Sequence, residues 1–220
     1  YKFNFDKKAR DEDNKSGTVK HYRARGGVIM CTGGFAFDPE FVYEMDPTIP
    51  RGLDCTNHYG ATAQALKVMM NNDIDTVHLN WIQMGPWASP DEKGFGIVSV
   101  FAIPAYTFGL AVDQKTGRRF MNELADRRIR ADAIFNVWKD SKGNFTYPVV
   151  ICDTIGTFGT TKENVERALH KGVVKQFDTL EEIAAYYNIP EKELLETVER
   201  YRGFVRAGKD SDFNKPIAKY

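Results

Sequence analysis

Apolar and polar residues alternate with changing period along the chain, and each change predicts an element. Tyr1, Phe3 and Phe5 alternate with polar neighbours, a charged stretch fills residues 7–17, and Val19, Tyr22 and Ala24 resume the alternation, which predicts a hairpin with a solvated tip. Residues 27–32 form a continuous apolar run halted by Gly33-Gly34. That predicts a buried strand ending in a tight turn, where backbone approaches a ligand or other backbone closely. Ala61, Ala65, Val68 and Met69 recur at helical spacing up to Asn71-Asn72, so residues 60–70 are expected to be a helix. Residues 81–106 are rich in aromatics, Gly and Pro (Gly85-Pro86-Trp87, Pro90, Gly94, Gly96, Pro104), which predicts irregular backbone of a pocket-lining kind.

Further on, residues 110–112 and 119–121 flank Asp113 to Gly117 as a hairpin would. A helix is expected from about Asp126, with Ile129, Ala133, Ile134 and Val137 on one face, and residues 147–152 read as a second buried strand. The last third predicts three packing helices. Thr160-x-x-Glu163 and Thr179-x-x-Glu182 are capping boxes, Pro190 suits a first turn, and Gly172, Asn188 and Gly208 sit where helices stop. Leu194, Leu195, Val198, Tyr201, Phe204 and Val205 give the third of these a continuous apolar stripe.

Composition narrows the functional classes. The 220 residues are 42% hydrophobic and 27% charged, enough for a real core in one or two domains. Thirty basic residues balance thirty acidic ones, so no global field draws the molecule to nucleic acid or an anionic membrane. No apolar run approaches the roughly 18 residues a membrane span needs, and Tyr1-Lys2-Phe3 opens the chain without the apolar core of a signal peptide. Cys31, Cys55 and Cys152 lack zinc-site spacing and read as ordinary reduced or buried cysteines; His21, His58, His78 and His170 lack metal-ligand spacing too. G-x-S-x-G, H-E-x-x-H, the P-loop and G-x-G-x-x-G are all absent. Two residues keep a functional reading. His58 stands just before a helix, and Arg127 falls at a helix N-terminus, where the macrodipole disfavours a cation unless Glu123 or Asp126 neutralises it in an ordinary surface pair.

Four motifs in register extend these local signals. They are Arg25-Gly26-Gly27-Val28-Ile29-Met30-Cys31-Thr32-Gly33-Gly34-Phe35, Asn57-His58-Tyr59-Gly60-Ala61-Thr62, Gly117-Arg118-Arg119-Phe120-Met121-Asn122-Glu123-Leu124-Ala125-Asp126-Arg127, and Val198-Glu199-Arg200-Tyr201-Arg202-Gly203-Phe204 followed by Gly208-Lys209-Asp210-Ser211-Asp212-Phe213. Together they resemble the FAD-dependent fumarate reductase/succinate dehydrogenase flavoproteins, in the soluble flavocytochrome-like and urocanate-reductase-like branch. The resemblance implies an α+β chain: a partial Rossmann-type FAD-binding domain over residues 1–84, then a capping (clamp) domain over residues 85–220. The family's dinucleotide loop and closing Gly-rich segment have no counterpart here, so the chain is expected to be an internal fragment, colourless and inactive alone, and lacking FAD. The missing parts of the FAD domain, an electron-donor domain or protein, and a small unsaturated carboxylate are the implied partners.

The resemblance assigns FAD contacts to Thr32, Gly33, Gly34, Asn57, Gly60, Ala61 and Thr62. It makes Arg127 the residue that lies over the substrate and delivers a proton while the flavin delivers hydride. Guanidinium is a poor acid in water, with a pKa above about 12, but a carbanion beside a carboxylate is a far stronger base than water. The same group binds carboxylate bidentately. Where fumarate reductases carry His-Pro-Thr this chain has Gly85-Pro86-Trp87, which places Gly85 and Trp87 at the substrate, with Trp87 and Phe101 reading equally well as core aromatics. Their Thr-Glu and Arg fall in residues 102–106, whose one titratable group is Tyr106. A four-carbon dicarboxylate therefore fits less well than a urocanate-like or other acrylate-type acid. Alternatives are a flavin-dependent 3-oxosteroid dehydrogenase with Tyr106 as its acid–base residue, or a catalytically silent capping module.

Overall fold

A computed structural model describes residues 18–58, 60–86, 88–92, 96–154, 156–157 and 160–218. The chain divides into two units, Tyr1–Ile82 and Gln83–Tyr220. The first holds helices α1 (Pro39–Met45) and α2 (Gln64–Met70). Asp38 starts α1: its carboxylate accepts the Phe41 N–H at 3.1 Å, Pro39 takes a first-turn position where a missing donor costs nothing, and Glu40 complements the dipole. The same carboxylate accepts the Ala63 N–H at 3.4 Å and meets Lys67 Nζ of α2 at 3.5 Å, tying the two helices together. Burial pushes Asp38 up, but the Phe41 N–H and the Lys67 charge outweigh it and hold the carboxyl below its ordinary value.

The hairpin and buried strand expected before α1 are not formed among the described residues. Residues 18–24 and 27–32 are irregular and exposed, Ile29 to 90%. A buried strand needs paired neighbours along its edges and a layer on each face. Among the described residues of the first unit no strand pairs with this run, so its backbone faces water; residues 1–17 lie outside the described residues. The helix expected over residues 60–70 begins later, at Gln64: Ala61 and Thr62 are irregular and Ala63 is its N-cap.

The second unit is mixed, with five helices and a two-stranded antiparallel sheet among its described residues. Helix α3 (Ser99–Phe108) leads into β1 (Leu110–Val112), followed by α4 (Arg127–Val137), β2 (Val149–Ile151), α5 (Lys162–His170), α6 (Leu180–Tyr187) and α7 (Glu191–Ala207). Leu110 lies opposite Ile151 and Val112 opposite Val149. Strand alternation sends Leu110 and Val112 into a core with Ala184, Ile189, Leu194, Val198 and Tyr201 of the α6–α7 layer, and Ala111 to the other face with Tyr106 and Met121. Residues 119–121 contribute only a bridge between Val112 and Arg119, not the expected hairpin strand, because Arg119 turns inward to buried carboxylates.

Helix α3 overturns the expectation of irregular backbone up to Tyr106. Its N-terminus is capped from a distance: the Glu92 carboxylate accepts the Ile97 N–H at 2.9 Å and the Val98 N–H at 2.8 Å. Pro104 sits inside the helix, where burial of Phe101, Pro104, Ala105 and Tyr106 offsets the lost hydrogen bond. Gly109 ends it at a close approach, since a Cβ there would stand 2.0 Å from the Ile151 carbonyl oxygen. Smaller shifts recur elsewhere. Thr161 rather than Thr160 caps α5, Pro190 stands at the N-cap of α7, and in α4 Ile129 is exposed while Arg130 is buried. Asn188 and Gly208 end α6 and α7 in left-handed conformation, as their residue types predict.

Candidate functional site

The segment leading into α4 is held from several sides. Glu123, fully buried, accepts the Ala111 N–H at 2.9 Å and two Arg119 donors at 3.0 and 2.8 Å. Asn122 donates to the carbonyls of Phe213 and Asn214, each at 3.2 Å, while its own side-chain oxygen accepts the Leu124 N–H. Asp126 then caps α4 by accepting the Arg128 N–H at 2.9 Å. These bonds deliver Arg127 to the first helical position, exposed, with Nη1 donating to the Gln83 side-chain oxygen at 2.9 Å.

Tyr106 lies behind this segment. It is buried, and its hydroxyl donates to the Pro86 carbonyl at 3.1 Å, joining α3 to the Gly85-Pro86 loop. Burial pushes the phenol up to about 12, only partly opposed by the Arg130 charge. The Arg130 guanidinium stands over the Tyr106 ring at 5.3 Å and donates to the Glu123 carbonyl at 3.3 Å. Burial, and the like charge of Arg127, lower Arg130 from its ordinary value. Gly85 is exposed; Trp87 lies outside the described residues. Arg127, Tyr106, Gly85 and Gln83 thus belong to one unit: Gln83 bonds Arg127, Pro86 beside Gly85 bonds Tyr106, and Arg130 stands over the Tyr106 ring and feels the Arg127 charge. A cavity of about 550 Å³ elsewhere in this unit, between α7 and residues 211–213, includes none of them.

The first unit brings its own candidates together. Gly33 turns the chain at φ 76°, and the Phe37 N–H donates to the Ala61 carbonyl at 2.8 Å. The Gly33-Gly34 turn and the stretch containing Asn57, Gly60, Ala61 and Thr62 are therefore linked by neighbouring backbone. His58 holds that stretch locally, its Nδ1 accepting the Gly60 N–H at 3.0 Å. Thr32, Gly33, Gly34, Asn57 and Gly60 are exposed, whereas Ala61 and Thr62 are half-buried; Tyr59 lies outside the described residues.

Sequence reasoning missed the inward-facing charges. Beside Arg119 and Glu123 stand Asp210 and Lys215, both almost fully buried, with Asp210 accepting Arg119 Nη2 at 3.0 Å and Lys215 Nζ donating to the Gly109 carbonyl. The available signal was the position of Arg119 and Glu123 four residues apart and the presence of Asp210 in the last motif.

Residues 7–219 match the FAD binding domain family. The chain is 38% identical over 207 residues to the acrylate reductase flavoprotein subunit of Shewanella woodyi, a match covering 93% of this chain and 40% of that protein. It is 30% identical over 216 residues to the fumarate reductase (cytochrome) of Shewanella frigidimarina, covering 93% and 35%. The open conformation of a flavocytochrome c3 fumarate reductase shares the fold at a TM-score of 0.61 and 24% identity, over 84% of this chain and 30% of that one. The chain therefore spans about two fifths or less of the length of these relatives. It belongs to the FAD binding domain family, among flavoproteins related to acrylate and fumarate reductases.

Proposed function

We propose that this chain is part of an FAD-dependent reductase acting on the carbon–carbon double bond of a small α,β-unsaturated carboxylate of acrylate type. Residues 85–220 serve as the capping domain that carries the substrate-binding cation. The observation that carries this reading is the placement of Arg127, an exposed guanidinium at the start of α4, steered by Gln83 and carried on a segment fixed by buried charges. Identity to an acrylate reductase over nearly the whole chain supports the substrate class.

Arg127 can grip one carboxylate with two parallel N–H donors. Gly85 and residues 102–106 add no second cation, which favours a monocarboxylate over fumarate. Thr32, Gly33, Gly34, Asn57, Gly60, Ala61 and Thr62 fit as contacts for FAD: the Gly33-Gly34 turn is open, with nothing within 4 Å of a Cβ built at either glycine, and the Phe37–Ala61 bond brings the second stretch beside it. When bound and reduced by its electron donor, FAD would supply the hydride for the β-carbon. The double-bond electron pair then collects on the α-carbon next to the carboxylate, and Arg127 passes a guanidinium proton there. Exposure lets Arg127 regain that proton from water. Tyr106, buried and committed to Pro86, holds the loop bearing Gly85 in this reading and is a weak candidate for the acid–base role a 3-oxosteroid dehydrogenase would give it.

In the intact flavoprotein, Arg127→Ala should retain FAD and lose acrylate reduction by at least a hundredfold, measured as reoxidation of the reduced flavin. Turnover within a few-fold of wild type rejects the assignment. In the same assay, faster reoxidation by fumarate or a 3-oxosteroid than by acrylate would displace the substrate class.

A further inference from the structure

We propose that the buried quartet Arg119, Glu123, Asp210 and Lys215 is a positioning device that sets where the Arg127 guanidinium stands. The proposal rests on the reading of Arg127 given above. The side chain of Arg119 is 4% exposed, and those of Glu123, Asp210 and Lys215 are 0% exposed. Two cations and two anions balance there. Arg119 bridges the carboxylates at 2.8 and 3.0 Å, and Lys215 Nζ lies 3.6 Å from Glu123. Three backbone donors, from Asp212, Phe213 and Lys215, complete Asp210 at 3.0, 3.3 and 3.2 Å.

Taking such charges out of water is costly, and well-packed apolar side chains of similar volume would fill the same space at equal or better stability. What apolar packing lacks is direction. The quartet fixes three distant stretches at defined atoms: Gly109 at the C-cap of α3 with Ala111 in the middle of β1, Arg119 to Glu123 before α4, and Asp210 to Lys215 after α7. Only Leu124, Ala125 and Asp126 separate Glu123 from Arg127, and the Asn122 side chain and carbonyl hold two of them through the Leu124 and Ala125 N–H groups. Arg130 closes the loop by donating to the Glu123 carbonyl. A shift of Glu123 therefore has little slack to absorb it before Arg127. Misplacement by about 1 Å can cost on the order of a hundredfold in rate.

Lys215 makes the device testable without turnover. Its ammonium faces Glu123 and Arg119 on the segment before α4, Asp210 on its own loop, the Gly109 carbonyl, and the Tyr201 ring of α7 at 5.0 Å. Burial brings it down to about 8, so the quartet goes from neutral to a net negative charge within an accessible pH range. The test uses the intact oxidised flavoprotein, with propionate as an unreactive carboxylate followed by its perturbation of the flavin spectrum, alongside acrylate turnover.

Lys215→Met and Glu123→Gln should keep FAD yet lose about tenfold or more in propionate affinity and about a hundredfold in kcat. Lys215→Arg should restore both. Wild-type affinity should fall above about pH 8, and in Lys215→Arg, whose guanidinium stays charged, that fall should disappear. Unchanged propionate affinity and turnover in Lys215→Met, with both lost in Arg127→Ala, would overturn the positioning role and leave the reading of Arg127 standing. Turnover retained in Arg127→Ala overturns both. If Lys215→Met and Glu123→Gln fail to fold, the comparison of pH profiles between wild type and Lys215→Arg still decides, and superimposable profiles reject the proposal.

Discussion

Lys215 shows what burial does to a single side chain. Loss of water lowers its ammonium from 10.5 to about 8, with the pull of Glu123 only partly opposing the shift. Between those values the unfolded chain binds a proton there that the folded chain does not. Folding stability from this group is therefore flat below about pH 8 and rises with pH through the window above it. The expected result is that wild type gains melting temperature relative to Lys215→Arg between about pH 8 and pH 10, because an arginine stays protonated in both states; parallel melting curves across that range would contradict it. Arg119 behaves oppositely. Burial disfavours its charge, yet Glu123 and Asp210 more than restore it, so it stays protonated at any working pH. The sequence marks all four residues as charged and three of them as motif members, but charge alone reads as surface. Their inward orientation depends on contacts between positions as far apart as Arg119 and Asp210, which no local pattern encodes.

Helices were legible where their signals are local. Asp126 before α4, Thr179 before α6, and Asn188 and Gly208 at helix ends act as their chemistry predicts. Helix α3 was not legible, because Pro104 argues against a helix and the group that starts it, Glu92, lies five and six residues before the N–H groups it accepts. Burial raises the Glu92 carboxyl, but the Val98 and Ile97 N–H groups and Lys171 outweigh it and leave it below 4.5. Its contribution is thus complete above the ordinary carboxylate range and is lost as pH falls through the lowered value. Glu92→Ala should destabilise the fold by about 1–2 kcal/mol, with amide exchange rising first at Ile97, Val98 and the following turn of α3. Unchanged protection there would show that packing of Phe101 and Ala168 alone holds the helix.

For the molecule as a whole, the two units differ in how far their sequence patterns are realised. In Gln83–Tyr220 the expected strands at 110–112 and 147–152 find each other and a two-sided core. In Tyr1–Ile82 the apolar run at 27–32 has the composition of a central strand and no strand beside it among the described residues, so Val28 and Ile29 remain exposed. Trypsin acting on this 220-residue chain should cut first at Lys20, Arg23 and Arg25, all exposed on irregular backbone, before any site in α7; mass analysis of early fragments checks the order. At this scale the motif order made legible that Arg127 and the Gly33-Gly34 turn lie in separate units, though not what either binds. The Tyr106–Pro86 bond and the quartet were not legible.

Tyr201 carries a last consequence. Its ring, presented by α7, lies under both cations, 4.6 Å from the Arg119 guanidinium and 5.0 Å from Lys215 Nζ. Magnetic shielding above an aromatic face moves nearby protons upfield. The Lys215 side-chain methylenes should therefore resonate apart from those of solvated lysines, giving a built-in nuclear beacon that follows this one ammonium as it discharges.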